Sequence, residues 1–170
     1  MKRAYVVSSV AIASVVAAAA GSVAELPQAV RDRARPSALT RFEIAPQRIV
    51  WKSDAGVKNA ESLLAKHAGQ AVLSAPVPPC ELSAGTNRTA GVLLDFGVEL
   101  TGDVEIFTPI TPGKEPRRLR VRFGESASEA MAELGEKNAG NDHAVRDQVV
   151  TLPWLGKIAV GPSGFRFVRL

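Results

Sequence analysis

One cysteine, Cys80, stands among 170 residues. No intrachain disulfide can form, so burial and hydrogen bonding have to hold the fold. Cys80 lies in "PVPPC", far from the start of the chain, which excludes a lipoprotein cysteine. Histidine is almost absent, with two copies, and His143 has no second His or Cys at ligand spacing, so a zinc-type site has no support. Aromatic residues make up 5%. The length suits one ordinary domain and is too short for a large enzyme barrel.

An excess of one charge is also lacking. The first residues, "MKRAYVVSSVAIASVVAAAAGSVAE", place Lys2 and Arg3 ahead of an uncharged run to Ala20, then Ser22-Val23-Ala24 where a signal peptidase needs small side chains. A secretory leader over residues 1–24 is expected, with export to the periplasm or the extracellular space and no membrane attachment after cleavage. The alternative is an uncleaved anchor, for which the run is short and Ala-rich. Cleavage removes two of the 21 basic residues and leaves 19 against 17 acidic ones. The remaining Lys and Arg are dispersed rather than gathered on one face, which argues against nucleic acid as a partner.

Residues 25–46 contain "RDRARPSALTR", polar and broken by Pro36, and read as a linker or surface arm. "RIVWKS" is a short strand, with Ile49 and Trp51 out of phase with Val50. Over "VKNAESLLAKH", Val57, Ala60, Leu64 and Ala68 share a helical stripe and Gly69 follows as a cap, which predicts an amphipathic helix. "QAVLS" is a further strand candidate, and "APVPPCELSAGTN" reads as a loop.

Beyond Thr89 the pattern is strands and turn signals. "GVLLDFG" sets Val92, Leu94 and Phe96 against Leu93 and Asp95, and "GDVEIFT" alternates in the same way. In "RRLRVRFG", Leu119, Val121 and Phe123 face one way while Arg118, Arg120 and Arg122 face the other, the signature of a strand with one wet face. "QVVTLPW", "KIAVG" and "GFRFVRL" follow, punctuated by Gly156 and by Gly161-Pro162-Ser163-Gly164. In the last strand Phe165 and Phe167 share one face and Val168 and Leu170 the other, so both faces need cover. After Gly124, Ser126 and Glu129 form a capping box, with Met131 and Leu134 at helical spacing and Gly135 as a stop. Many short strands with one or two short helices predict a mainly β chain, an antiparallel β-sandwich of jelly-roll-like type over residues 47–170.

At "LLDFGVELTGDVEI", "RVRFGESASEAMAELGEKNAGNDHAVRDQ", "LPWLG" and "GFRFVRL" the chain resembles bacterial members of the α-L-rhamnosidase family of glycoside hydrolases, in the β-sandwich that precedes their catalytic barrel. The resemblance spans roughly Arg48 to Leu170. It implies an accessory domain of a large exported enzyme that removes terminal L-rhamnose with inversion, truncated here before the barrel, with the barrel supplying the cover for the last strand. Inversion needs two carboxyl groups about 6.5–9.5 Å apart. The family takes both from its α/α barrel, so the resemblance transfers no catalytic residue, cofactor or metal to this chain. The implied partners are a rhamnosylated carbohydrate or the missing catalytic domain. A stand-alone carbohydrate-binding module and a purely structural envelope protein remain as alternatives.

The densest polar stretch is "NDHAVRDQ". Asn141, Asp142, His143, Arg146 and Asp147 are candidates for sugar contact, for calcium through oxygen ligands, or for docking onto the barrel. The blander reading is a loop that satisfies its own backbone. Trp51 and Trp154 are candidate sugar platforms, but Trp154 shares phase with Val150 and Leu152, which favours core or interface. The arginine stripe suits acidic glycans or, more simply, solvent. Asp95-Phe96-Gly97 spells the kinase metal motif without any of its companion motifs.

Overall fold

The computed structural model of the chain describes residues 8–12, 43–66, 78–85, 89–110, 115–136 and 146–170. In chain order the elements are β1 (Ser8–Ile12), β2 (Arg48–Lys52), β3 (Val57–Lys58), a 3-10 turn (Ala60–Leu64), β4 (Cys80–Leu82), β5 (Val92–Thr108), β6 (Arg117–Gly124), α1 (Ala127–Met131), β7 (Asp147–Leu152) and β8 (Gly156–Arg169). The architecture is mainly antiparallel β with little helix, consistent with a β-sandwich. Its principal sheet runs β2-β5-β8-β6-β7, and every pairing in it is antiparallel. β3 pairs with β4. The backbone of β1 lies between β4 and β5, with Val10 opposite Cys80 and Ile12 opposite Ile106. These β1 residues fall inside the stretch read as a leader.

One face of the principal sheet carries the core. Val92, Leu94, Phe96, Val104, Ile106, Leu119, Val121, Phe123, Phe165 and Val168 pack there with Ala60, Leu63, Cys80 and Leu82 from the opposing layer. Phe165 sits at the centre, edge-on to Phe96 at 5.4 Å between ring centroids and tilted against Phe123 at 5.0 Å. Such arrangements suit the ring quadrupoles and add to the stabilisation from burial. The opposite face is closed locally by α1, where Ala130 packs with Leu93 and Phe167, and Trp51, Ala127 and Met131 border them. This approach requires Gly124, because a Cβ there would lie 2.5 Å from the backbone nitrogen of Ala130.

The Ser126 cap forms, with the return bond from Glu129 shifted one residue back, to Glu125. Ser126 Oγ accepts from the Glu129 N–H at 3.2 Å, and Glu129 Oε2 accepts from the Glu125 N–H at 2.7 Å. The helix is one short stretch, ending at Met131 rather than reaching Leu134, which is exposed. The predicted helix over residues 57–67 is replaced by β3 and the 3-10 turn. Asn59 adopts a left-handed backbone, φ 50°, and breaks the helical run, while Val57 and Lys58 take partners on β4. Cys80–Leu82, read as loop, is that partner strand. Gly69 and "QAVLS" lie outside the described residues.

Two pairs of short predicted strands merge. "GVLLDFG" and "GDVEIFT" form one 17-residue strand, and "KIAVG" and "GFRFVRL" form one of 14 residues. The glycines act as irregularities within strands instead of as turns between them. The β5–β8 register shifts between Asp95 and Leu100 and again between Gly102 and Val104. The first shift alters the phase of β8, so Phe165, Val168 and Leu170 share the main core while Phe167 alone turns to the α1 side. The cover that the last strand needs is present. Residues 167–169 pair with β5 on one edge and β6 on the other, and Phe167 and Val168 are buried on opposite faces. This corrects the expectation that β8 depends on polypeptide beyond Leu170.

Candidate functional site

A row of side-chain positions crosses the principal sheet. Trp51 on β2 is opposite Leu93 on β5, Leu93 opposite Arg169 on β8, Arg169 opposite Arg122 on β6, and Arg122 opposite Asp147 on β7. Cross-strand neighbours interact directly, so this register alone places two arginines side by side with an aromatic ring at one end and a carboxylate at the other. The Arg169 guanidinium lies 5.5 Å from the Trp51 ring centroid, within cation–π range. Arg122 Nε donates to Asp147 Oδ2 at 3.0 Å.

The segment after α1 completes the cluster. Glu133 pairs with both Arg120 and Arg122. The carbonyl oxygen of Met131 accepts from Arg169 at 3.0 Å, and that of Ala132 accepts from Arg122 at 3.2 Å. Carbonyls left over at a helix C-terminus are natural partners for guanidinium groups. Arg120 also pairs with Asp147 through two of its nitrogens. Hydrogen bonds from Arg122 and then Arg120 hold the Glu133 pKa down to about 2. Burial, followed by the neighbouring Arg122 charge, lowers the pKa of Arg169.

Beside this cluster lies a cleft of about 370 Å³, lined among others by Trp51, Arg118, Arg120, Arg122, Glu133 and Arg169. Among the described residues neither Arg118 nor Arg169 has a carboxylate within ion-pair distance, whereas Arg120 and Arg122 do. The cleft therefore presents guanidinium groups in excess of carboxylates. It can bind an anion or stack a flat ring.

A second polar centre joins β2, β5 and β8. Asp95, 1% exposed, accepts from Arg48 Nε at 2.8 Å, from Arg166 Nε at 2.9 Å and from the Gly97 N–H at 2.7 Å. Gly97 has φ +82°, and a Cβ there would collide with the Gln47 side chain. Arg166 above all holds the Asp95 carboxyl far below the usual range. Asp95 is thus a structural pin, which accounts for the motif-like "DFG".

Of the predicted site residues, Asn141, Asp142 and His143 lie outside the described residues. Arg146 is buried and pairs with Glu129 at 3.0 Å. Asp147, with a side chain 7% exposed, anchors Arg120 and Arg122. Both are tied into the protein by these ion pairs. The arginine stripe is not simply a wet face, because Arg122 is 4% exposed. Trp154, expected in a core or interface, is 65% exposed. β7 ends at Leu152 before Pro153, and the alternation that placed Trp154 inward ends with it. Arg169 and Glu133 were not singled out in the sequence. The arginine stripe was the available signal, and only pairing register showed what lay beside it.

No protein-family model matches the chain, and no curated protein matches it. Among solved structures it is similar to a rhamnosidase from Klebsiella oxytoca with rhamnose bound, at 18% sequence identity and a TM-score of 0.39. The match covers 58% of this chain and 22% of that one, so the chain spans well under a third of that enzyme's length. At that level of likeness nothing about activity or substrate passes from that enzyme to this chain.

Proposed function

We propose that this chain is a non-catalytic β-sandwich domain of an exported α-L-rhamnosidase-like glycoside hydrolase, supporting an α/α barrel encoded outside the sequence. The resemblance at four ordered stretches supports the family, and those stretches fall on β5, β6 with α1, the end of β7, and β8. One observation carries the non-catalytic reading. Among the described residues the carboxyl groups displaced furthest from their ordinary pKa, Asp95 and Glu133, are each tied to two arginines, Arg48 with Arg166 and Arg120 with Arg122, and are held down by them, whereas a glycosidase acid needs its pKa raised.

Reading the gene downstream of the Leu170 codon tests the domain assignment. A barrel, in frame or frameshifted, is the expected result, and a stop followed by unrelated genes overturns it. The purified chain is expected to release no product from an aryl α-L-rhamnoside; turnover by the chain alone would refute the non-catalytic role. The cleft beside Trp51 favours a second reading, a stand-alone carbohydrate-binding module. That reading requires saturable quenching of Trp fluorescence by a rhamnosylated oligosaccharide.

A further inference from the structure

We infer that the cleft beside Trp51 binds the carboxylate of an acidic sugar, with Arg118 and Arg169 as its charge partners; this rests on the carbohydrate reading above. Like charges directly opposite one another on paired strands are unfavourable, and Arg122 faces Arg169 across β6 and β8. Arg122 is compensated by Asp147 and Glu133. Among the described residues Arg169 has the Met131 carbonyl and the Trp51 ring as its contacts, no carboxylate within ion-pair distance, and the charges of Glu133 and Asp147 only at longer range. An arriving carboxylate supplies a counter-charge at contact distance.

Much of the anchoring is present without it. Asp147 and Glu133 hold Arg120 and Arg122, and the Met131 carbonyl holds Arg169, so of the two partners only the exposed Arg118 remains to be ordered on binding. The volume of about 370 Å³ falls within the ordinary range for small-ligand sites. Glu133 lines the same cleft and repels a polyanion, which favours a ligand with a single negative group over a phosphate-rich or highly sulfated one; the guanidinium fork matches a carboxylate in two hydrogen bonds, as it does a phosphate. Trp51 provides the apolar wall on which a sugar ring rests.

Calorimetric titration of the full chain with a galacturonic acid trisaccharide, its neutral galactose counterpart, a neutral L-rhamnoside and sodium sulfate tests the inference. Saturable binding of the uronate, weakened by salt, with no heat from the neutral galactose trisaccharide is the expected result. Arg118→Ala alters an exposed side chain and is expected to weaken uronate binding roughly tenfold. Arg169→Met keeps most of the packing and is expected to do the same. No binding of the uronate at millimolar concentration, equal binding of the neutral trisaccharide, sulfate binding as tight as uronate binding, or an Arg118→Ala variant with unchanged affinity overturns it. The two readings fail separately. Binding of the neutral rhamnoside without the uronate removes this inference and leaves the carbohydrate role, whereas uronate binding with no barrel gene downstream keeps this inference and removes the domain assignment.

Discussion

Replacing Asp95 with alanine is expected to cost about 3 kcal/mol of folding stability, and the structure sets that size. The carboxylate is 1% exposed, but Arg48 is 65% and Arg166 38% exposed, so both guanidiniums regain water once released. Each pair is therefore discounted from the roughly 3–5 kcal/mol of a fully buried ion pair to about 1 kcal/mol. The bond from the Gly97 N–H adds about 1 kcal/mol, the net worth of an ordinary intramolecular hydrogen bond. Asp95→Asn retains an acceptor for Gly97 and is expected to lose about 2 kcal/mol. Urea unfolding followed by Trp fluorescence reads both values. A loss under about 1 kcal/mol for Asp95→Ala refutes the claim that this carboxylate pins three strands together. The pH dependence provides a second check. The folded-state pKa is depressed, chiefly by Arg166, so the advantage of the wild type over Asp95→Asn is fully present above the unfolded value near 4 and declines as pH falls towards the folded value. An unchanged gap between about pH 7 and about pH 2 removes the ion-pair account.

Phe165→Ala is expected to lose about 3–5 kcal/mol, because it empties the contact between Phe96 and Phe123 at the core centre; a loss near 1 kcal/mol in the same unfolding experiment contradicts that packing. The Cys80 thiol is fully buried, and burial ahead of Glu61 and Glu81 pushes its pKa up to about 12. It is expected to resist a disulfide reagent at pH 8 in the native chain and to react fully in urea. Glu133, with its pKa held down to about 2 by Arg122 and Arg120, contributes stability that is present above its unfolded value and lost as pH falls through the folded one. The difference in melting temperature between wild type and Glu133→Gln should therefore close between about pH 4.5 and about pH 2; a difference that grows on acidification contradicts the pairing.

Alternation at Val92–Phe96 and Leu119–Phe123 identified core faces because side-chain direction in a strand has a fixed period of two. Ser126 and Glu129 identified the start of α1 because a capping box is local chemistry. The same reasoning failed where a longer-range contact took over. Gly97 and Gly161 look like turns in sequence, yet pairing with a long partner strand carries each chain straight through the irregularity. Phe167 left the phase of Phe165 because the inserted residues lie on β5, some 70 positions away in the chain, and nothing near Phe167 records them. Residues 57–58 held helical periodicity, but β4 offered them backbone partners.

By itself the sequence determined an antiparallel β chain without disulfides, its main core residues and one capped helix, since each follows from local periodicity or from composition. Only the tertiary structure decided that β8 is covered on both faces and that Arg122 and Arg169 stand side by side. It also decided that Asp147 pairs with Arg120 and Arg122. Strand order and register bring together residues far apart in the chain, and no local pattern encodes which arginine will lie opposite which.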